Sequence, residues 1–379
     1  MKVIKNKYFV VASTITSWKK DNLIERRLSY FADDSLFWKR IYVMYYNVFD
    51  HKYYINGCKM ALKEIDRQWK NVDFWVKENL SKKSLLRDMI YSLHRFGVSF
   101  QEYFMFKFYN LNTLGRISFS NLKLHYGYSQ LANLSSVRDL FEDKGKLYEK
   151  LKSFYKRDLL VVYDTQQENE LSAFLARHSE FIYKPYKGHS GIGIKVFHSY
   201  SGGVIKQMLD SGPFVIEELI VQANEMAILH QQSINTVRLV TFVVDGEVHI
   251  VGGAVRMGLG KSNVDNAGSG GIFASLDIYG GFVNSMAVDC NGNHYSVHPD
   301  THCKIVGFDI PQWREAIELV KEVALVIKSA VVVAWDLAYS TKGWLIVEGN
   351  DVGDDYLLQA PLNKGINDNY VKLFDQYFR

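Results

Sequence analysis

WDLAYSTKGWLIVEGND, residues 335–351, reads as two strands around a turn. The first follows the apolar AVVVAW and carries Asp336; a glycine turn follows, and the second, behind LIV, delivers Glu348, Asn350 and Asp351. Antiparallel pairing across that turn brings Asp336 near Glu348 and Asn350. Hard oxygen ligands on neighbouring strands suit Mg2+ shared with nucleotide phosphates, whereas an ordinary hairpin would leave the same acids solvated. Both carboxylates follow runs that belong in a core, where an unpaired charge is costly, and this favours the metal.

Upstream, KPYKGHSGIGI, residues 184–194, lies between two further predicted strands. Lys184 leaves a strand and precedes a loop with Gly188, Ser190, Gly191 and Gly193. Glycines let backbone N–H groups close on phosphate oxygens while an ammonium neutralises them; a plain β-turn is the other reading. The loop is neither a dinucleotide G-x-G-x-x-G nor a P-loop. GLGKS (258–262) has only the ending of a P-loop, because Val255 stands where that motif needs glycine.

Around these segments the chain divides in two. Residues 1–150 hold 26 Lys and Arg against 15 Asp and Glu, a balance of +11, while the remainder balances at −7. Only 5 of the 27 glycines and none of the five prolines precede residue 151. The first part reads as helical, with LFWKRIYVMYYNVF (36–49) and CKMALKEIDRQW (58–69). In the second of these Met60, Leu62, Ile65 and Trp69 form the expected buried stripe. Phe and Tyr recur from Phe100 to Phe119, which reads as core packing or, given the interleaved basic residues, as a base-stacking platform. After about residue 155, β-rich runs alternate with glycine: LLVVY (159–163), FIYKPY (181–186), GIKVF (193–197), FVIEELIV (214–221), VRLVTFVV (237–244), EVHIVGGAV (247–255), AVVVAWDLAY (330–339) and WLIVE (344–348). One clear helix, Trp313 to Ser329, presents Ile317, Val320, Ala324 and Ile327 on one face. The fold class is α+β, with a mainly helical region over 1–135 and a second domain over 136–379.

Several classes are excluded. The most apolar stretch, Leu319 to Ala338, contains Lys321, Glu322, Lys328 and Asp336, which a bilayer-spanning helix tolerates poorly. The apolar run from Phe9 is bounded by lysines and followed by no clear cleavage site. Cys58, Cys290 and Cys303 are too scattered for a disulfide frame, so a reducing, cytoplasmic compartment is expected. A basic nucleic-acid-binding module is disfavoured because the positive charge is spread among aromatic core segments. Pro299 and the loop-like NGNHYSVHPD argue against a helical zinc face built from His294, His298 and His302.

The ordered set of these pieces resembles the ATP-grasp superfamily over roughly residues 140–355. FEDKGKLYEKL (141–151) looks like the opening segment of that fold, with Lys144 at the position of its first nucleotide lysine. Lys184 matches the second, ahead of the glycine lid. FVIEELI (214–220) resembles the interdomain hinge, where Glu217, Glu218 and the backbone at Leu219 would receive the adenine, and Glu225 stands where a ribose-binding acid is found. Asp336, Glu348 and Asn350 match the metal ligands. SINTVRLVTF (233–242), VDNAGSGGIFASLD (264–277), HPDTHCKIVGFDIPQW (298–313) and YSLHRFGVSFQEYFMFKFY narrow the resemblance to the sugar-transfer-associated branch, implicated in making surface polysaccharides.

The resemblance implies two α+β subdomains, about 140–220 and 221–379, clasping ATP with two Mg2+ ions. It implies a ligase that phosphorylates a carboxylate and passes the acyl group to an amine, the pair guessed as a uronic-acid sugar and an amino acid. Contact with membrane-linked sugars at the inner face of the membrane would follow. An ATP-dependent kinase is the rival, because the same framework supports transfer to other acceptors. Arg238 and Arg256 are the candidates for holding the carboxylate and the transferring phosphoryl, since a planar guanidinium matches both; structural ion pairs are the alternative. SGGI (269–272) is read as backbone donors for a substrate carboxylate or as a simple turn. The basic first 120 or so residues are read as a helical cap that receives an anionic substrate, with Lys82, Lys83 and Arg87 on one helical segment.

Overall fold

Helices dominate from Leu36 to Tyr155 in this computed structural model, which describes residues 33, 35–186 and 193–379. The N-terminal apolar run and three lid residues, Gly188, Ser190 and Gly191, lie outside the described residues. Helix α1 (Leu36–Phe49) starts at Ser35, whose side chain accepts from the Trp38 N–H at 3.4 Å. Helix α2 (His51–Gln68) buries Ala61, Ile65 and Gln68. The stripe expected there is corrected, because Met60 and Leu62 are 64% and 43% exposed. A sequence of alternating Lys and apolar residues fixes the helical period poorly, and the small Ala61 sits where the next helix approaches. That neighbour, α3 (Lys82–Phe96), runs from the cap Ser81 to Gly97, which is left-handed at φ +76°.

The aromatic run from Phe100 is core: Tyr103, Phe106, Phe108 and Phe119 are buried, with Phe106 and Phe119 stacked 4.6 Å apart, so these rings are closed to bases. Asp88 on α3 lies beneath them, accepting from Lys39, Arg116 and the Tyr103 hydroxyl at 2.6 to 3.0 Å. Burial works to raise its pKa, but Arg116 and then Lys39 pull it below the usual carboxylate range.

Two compact units emerge. One holds the chain up to Tyr128 with residues 288–294 and 353–379; the other holds 129–287 with 295–352. The last 27 residues thus fold with the N-terminal helices, not with the sheets that precede them in sequence. Ser120 Oγ donates to Asp355 at 2.5 Å, His125 Nδ1 lies 2.9 Å from the same carboxylate, and the side chain of Asn367 accepts from Tyr128.

The second unit carries two sheets. Strands β1 (Leu159–Val162), β2 (Phe181–Pro185), β3 (Lys195–Phe197) and β4 (Phe214–Glu218) form an antiparallel sheet in the order β1-β4-β2-β3. Phe174, Phe181, Phe214 and Ile216 fill the core beneath it. The larger sheet has a centre made of β5 (Thr236–Val244), β6 (Glu247–Met257), β7 (Ile272–Asp277), β11 (Val332–Ser340) and β12 (Gly343–Asn350) in the order β7-β6-β5-β11-β12. The short strands β8 (Phe282–Val283), β9 (Ala287–Val288) and β10 (His294–Tyr295) complete it. Asp245 and Gly246, both at positive φ, close the tight β5–β6 hairpin.

Strand β7 is absent from the β-rich runs read from sequence, because Gly270 and Gly271 make its start look like loop. The helix expected over 313–329 spans Trp313–Val326 and buries Trp313, Ala316, Val320, Val323 and Ala324 against this sheet's core, so Ile317 is displaced to its edge. The α+β class stands as read. Among the described residues no helix is long and apolar enough to cross a membrane.

Candidate active site

Strand pairing assembles the site on one face of the larger sheet. Asp336 on β11 stands opposite Arg238 on β5 and opposite Glu348 on β12. Directly paired residues share a face and alternate residues return to it. Thr236, Arg238, Arg256, Asp336, Glu348 and Asn350 therefore project together. The register shifts just after the Asp336–Glu348 pair, since Leu337 pairs with Ile346 and leaves Val347 as the extra residue. A bulge of this kind bends a strand and aims its side chains; here it sets Glu348 beside Asp336.

Asp336 is fully buried, and Arg238 holds it with two nitrogens, Nη2 at 2.8 Å. Arg256 Nη2 adds a contact at 3.1 Å. Burial pushes Asp336 up, yet Arg238 and Arg256 bring its pKa down to about 2. Arg256 is itself tied to Thr236 Oγ1 at 2.8 Å and Asp265 at 3.4 Å. Asp265 in turn accepts from the backbone and side chain of Thr236. Burial opposes the charge on Arg256, but Asp265 and Asp336 more than offset it.

Glu348 is exposed to solvent although protein surrounds it on most sides. That crowding and the Asp336 carboxylate raise its pKa, against the pull of Lys184, Arg256 and Arg238. The Asn350 amide reaches Glu348 Oε1 at 3.4 Å.

The two lysines come from different elements. Lys144 opens the helix Lys144–Tyr155, capped by Asp143, and its ammonium donates to the Tyr186 carbonyl at 3.0 Å, at the base of the lid. Lys184 on β2 pairs with Glu217 on β4 at 2.6 Å. Desolvation and the nearby Lys184 lower the Lys144 pKa, while Glu348 and Glu217 act to raise it. These four groups therefore share one electrostatic neighbourhood. Gly193 ends the lid at φ +79°, and a Cβ there would lie 2.8 Å from Pro185 Cγ, so glycine is required on both counts.

Glu217 is buried and takes Arg157 as well as Lys184; despite burial, Lys184 and Arg157 hold its pKa down to about 2. Its neighbour Glu218 accepts from Lys342 and from the Asp158 N–H at 2.7 and 3.0 Å. Both carboxylates expected to receive the adenine are thus engaged by protein groups. Glu225 is exposed on the short helix Asn224–Ala227. His298 is buried against the Gly258 carbonyl, and among the described residues no group of three His, Cys, Asp or Glu is arranged for a metal. SGGI is a turn, left-handed at Gly270, in which a Cβ on Gly271 would meet the Asp265 carbonyl oxygen at 2.4 Å.

A family model described as sugar-transfer associated ATP-grasp matches residues 200–372. That part of the chain is similar to the family. The matched span includes Glu217, Arg238, Arg256, Asp336 and Glu348, while Lys144, Arg157 and Lys184 precede it. Similar solved structures include the ATP-grasp ligase PsnB with precursor peptide PsnA2 and AMPPNP, at 12% identity over 68% of each chain and TM-score 0.41. Others are the D-Ala:D-Ser ligase VanG from Enterococcus faecalis, at 12% identity over 63% of this chain and 62% of that one, TM-score 0.39, and phosphoribosylamine–glycine ligase from Thermotoga maritima, at 12% identity over 64% and 56%, TM-score 0.44. No curated protein matches significantly.

Sequence reading passed over Arg157, Thr236 and Asp265. Asp265 lies inside the quoted VDNAGSGGIFASLD, so its place before a glycine turn was the available signal. Arg157 carries none, because its partner Glu217 is 60 residues away.

Proposed function

We propose that the protein is an ADP-forming carboxylate–amine ligase that works through an acyl phosphate. The observation that supports this is that Lys144 and Lys184 lie within electrostatic reach of Glu348, which stands on the sheet face that also presents Asp336 and Arg256, in a chain whose residues 200–372 match the sugar-transfer associated ATP-grasp model. The γ-phosphoryl group moves from ATP to a carboxylate oxygen and ADP leaves. An amine then attacks the acyl carbon, phosphate departs, and the nitrogen loses a proton.

Lys144 and Lys184 neutralise the nucleotide phosphates from two sides, and the Leu219 backbone meets the adenine. Arg256, fixed by Thr236, Asp265 and Asp336, is a preorganised cation for the substrate carboxylate and the developing phosphoryl charge. Arg238 keeps Asp336 ionised and faces the same substrate. The donors fit Mg2+: Glu348, Asn350 and Asp336 offer oxygen, and Mg2+ needs only one or two carboxylates when phosphates and water supply the rest. When bound, the ion would offset charge on the phosphates.

The acceptor is proposed as a uronic-acid sugar and the amine as an amino acid, in surface polysaccharide or glycoconjugate synthesis on the cytoplasmic side of a membrane. The basic first unit would draw such an anion through its long-range field. Incubation with ATP, Mg2+ and hydroxylamine across a panel of uronic acids tests the reading, because an acyl phosphate is trapped as a hydroxamate. ADP release with a hydroxamate, and with an amide when amino acids replace hydroxylamine, is expected. ADP release with a phosphorylated hydroxyl and no hydroxamate would establish the kinase instead.

A further inference from the structure

Arg157 is buried in the second unit and bonds both of its sheets, through Glu217 on β4 and the Ile346 and Val347 carbonyls on β12. Lys156, left-handed at φ +48°, ends the preceding helix and turns the chain so that Arg157 points inward over the Tyr155 ring, 4.7 Å away. Every N–H of its guanidinium has an acceptor. Nε and Nη2 donate to Glu217 Oε2 at 2.9 and 2.7 Å; Nη1 donates to the Ile346 and Tyr155 carbonyls at 2.7 and 3.3 Å; Nη2 also donates to the Val347 carbonyl at 3.0 Å.

The identity of these acceptors matters. Val347 is the bulged residue of β12, immediately before Glu348. Glu217 uses its other oxygen, Oε1, to hold Lys184 Nζ at 2.6 Å. One planar group therefore links the bulge that aims Glu348 to the carboxylate that aims Lys184. A bidentate contact of this kind fixes orientation as well as distance, and a lysine with three donors and no plane has no equivalent.

We infer that Arg157 is a positioning residue for nucleotide binding, acting through Glu217 on Lys184 and setting that lysine relative to the Glu348 strand. The inference rests on the reading of Lys184 as a phosphate ligand. Without Arg157, Glu217 keeps Lys184 as its one cationic partner, and the ammonium is drawn into the pair and away from phosphate.

The test is a thermodynamic cycle on AMPPNP affinity, measured by calorimetry with Mg2+ on the full chain. The variants are Arg157→Gln, Arg157→Lys, Lys184→Met and the double variant Arg157→Gln/Lys184→Met, with Glu217→Gln as a second probe of the same relay should Arg157→Gln fold poorly. Arg157→Gln and Arg157→Lys should each weaken AMPPNP binding roughly tenfold, while the double variant binds no more weakly than Lys184→Met alone. Glu217→Gln should show the same non-additivity. A purely structural arginine would lower the unfolding temperature, leave AMPPNP affinity unchanged, or add its full loss to that of Lys184→Met, and either binding outcome overturns the inference. If the parent protein bound no AMPPNP, the ligase reading would fall and this inference with it; binding by the parent with additive losses overturns the inference alone.

Discussion

Asp88 and Asp336 are both buried, and each is held by two cations, yet their surroundings differ in one respect. Around Asp88 the network is closed: Lys39, Arg116 and Tyr103 satisfy both oxygens, and the contacts come from the helices of its own unit. Around Asp336 it is open, because a second carboxylate, Glu348, stands directly opposite with solvent access and a raised pKa. A closed network spends its electrostatics on the fold, whereas an open one keeps a solvent-accessible acid beside fixed cations, ready for a ligand that brings its own charges.

The sharpest way to break this comparison is to remove each acid in turn. Asp88→Ala leaves Arg116 and Lys39 buried without a counter-charge and should cost about 3 to 5 kcal/mol of stability, read from urea unfolding. A loss below about 1 kcal/mol, the range of surface pairs, would show that Asp88 is not closed off as described. Glu348→Gln should do the opposite: no loss of stability in unfolding, and turnover down at least about 100-fold through the lost ligand charge. Parent-like ADP formation by that variant would remove Glu348 from the site.

Acid sharpens the contrast further. Glu217 and Asp336 have pKa values lowered to about 2, so their contribution to stability is complete above the ordinary carboxylate range and is lost as pH falls through their folded values. Glu348 runs the other way, since its raised pKa means that protonation relieves the folded protein. Glu348→Gln should therefore stabilise the ligand-free protein near neutral pH and lose that advantage in acid, a sign that paired melting curves will read directly. The smallest effect concerns the basic unit. Lys82 already pairs with Asp66 at 2.7 Å and lies over the Trp69 ring, while Lys83 is exposed and Arg87 half-buried on the same helix. Reversing Lys82, Lys83 and Arg87 to Glu should change stability by less than about 1 kcal/mol each but weaken an anionic acceptor most at low salt, with MgATP affected less. Equal salt dependence for both would leave that unit without a receiving role.

The hairpin with Asp336 and Glu348 was legible because two apolar runs, a glycine turn and acids at matched positions specify pairing locally. The place of Lys184, at the end of a strand before a glycine loop, was legible for the same reason. What escaped depends on residues far apart in the chain. Nothing in KRDLLVV announces that Arg157 will meet Glu217, and the register shift that frees the Val347 carbonyl is invisible without the partner strand. On α2 the Met60 and Leu62 error has another cause: apolar character exceeds what the neighbouring helices can cover, so composition overstated the buried stripe. The expected extent of the second domain, to residue 379, failed to anticipate that Asp355 and Asn367 satisfy buried groups on the N-terminal helices.

That last arrangement has a consequence for how the chain folds. Ser120 must wait for Asp355, 235 residues later, and Tyr128 for Asn367, 239 residues later. The helices made first on the ribosome are therefore finished last, after the whole sheet unit has emerged, and closing so long a loop slows assembly more than it weakens the product. Until then His125 and Ser120 have no acidic partner to bury against, and the nascent helical unit exposes the surface that residues 353–379 will cover, the interval in which a chaperone would find it.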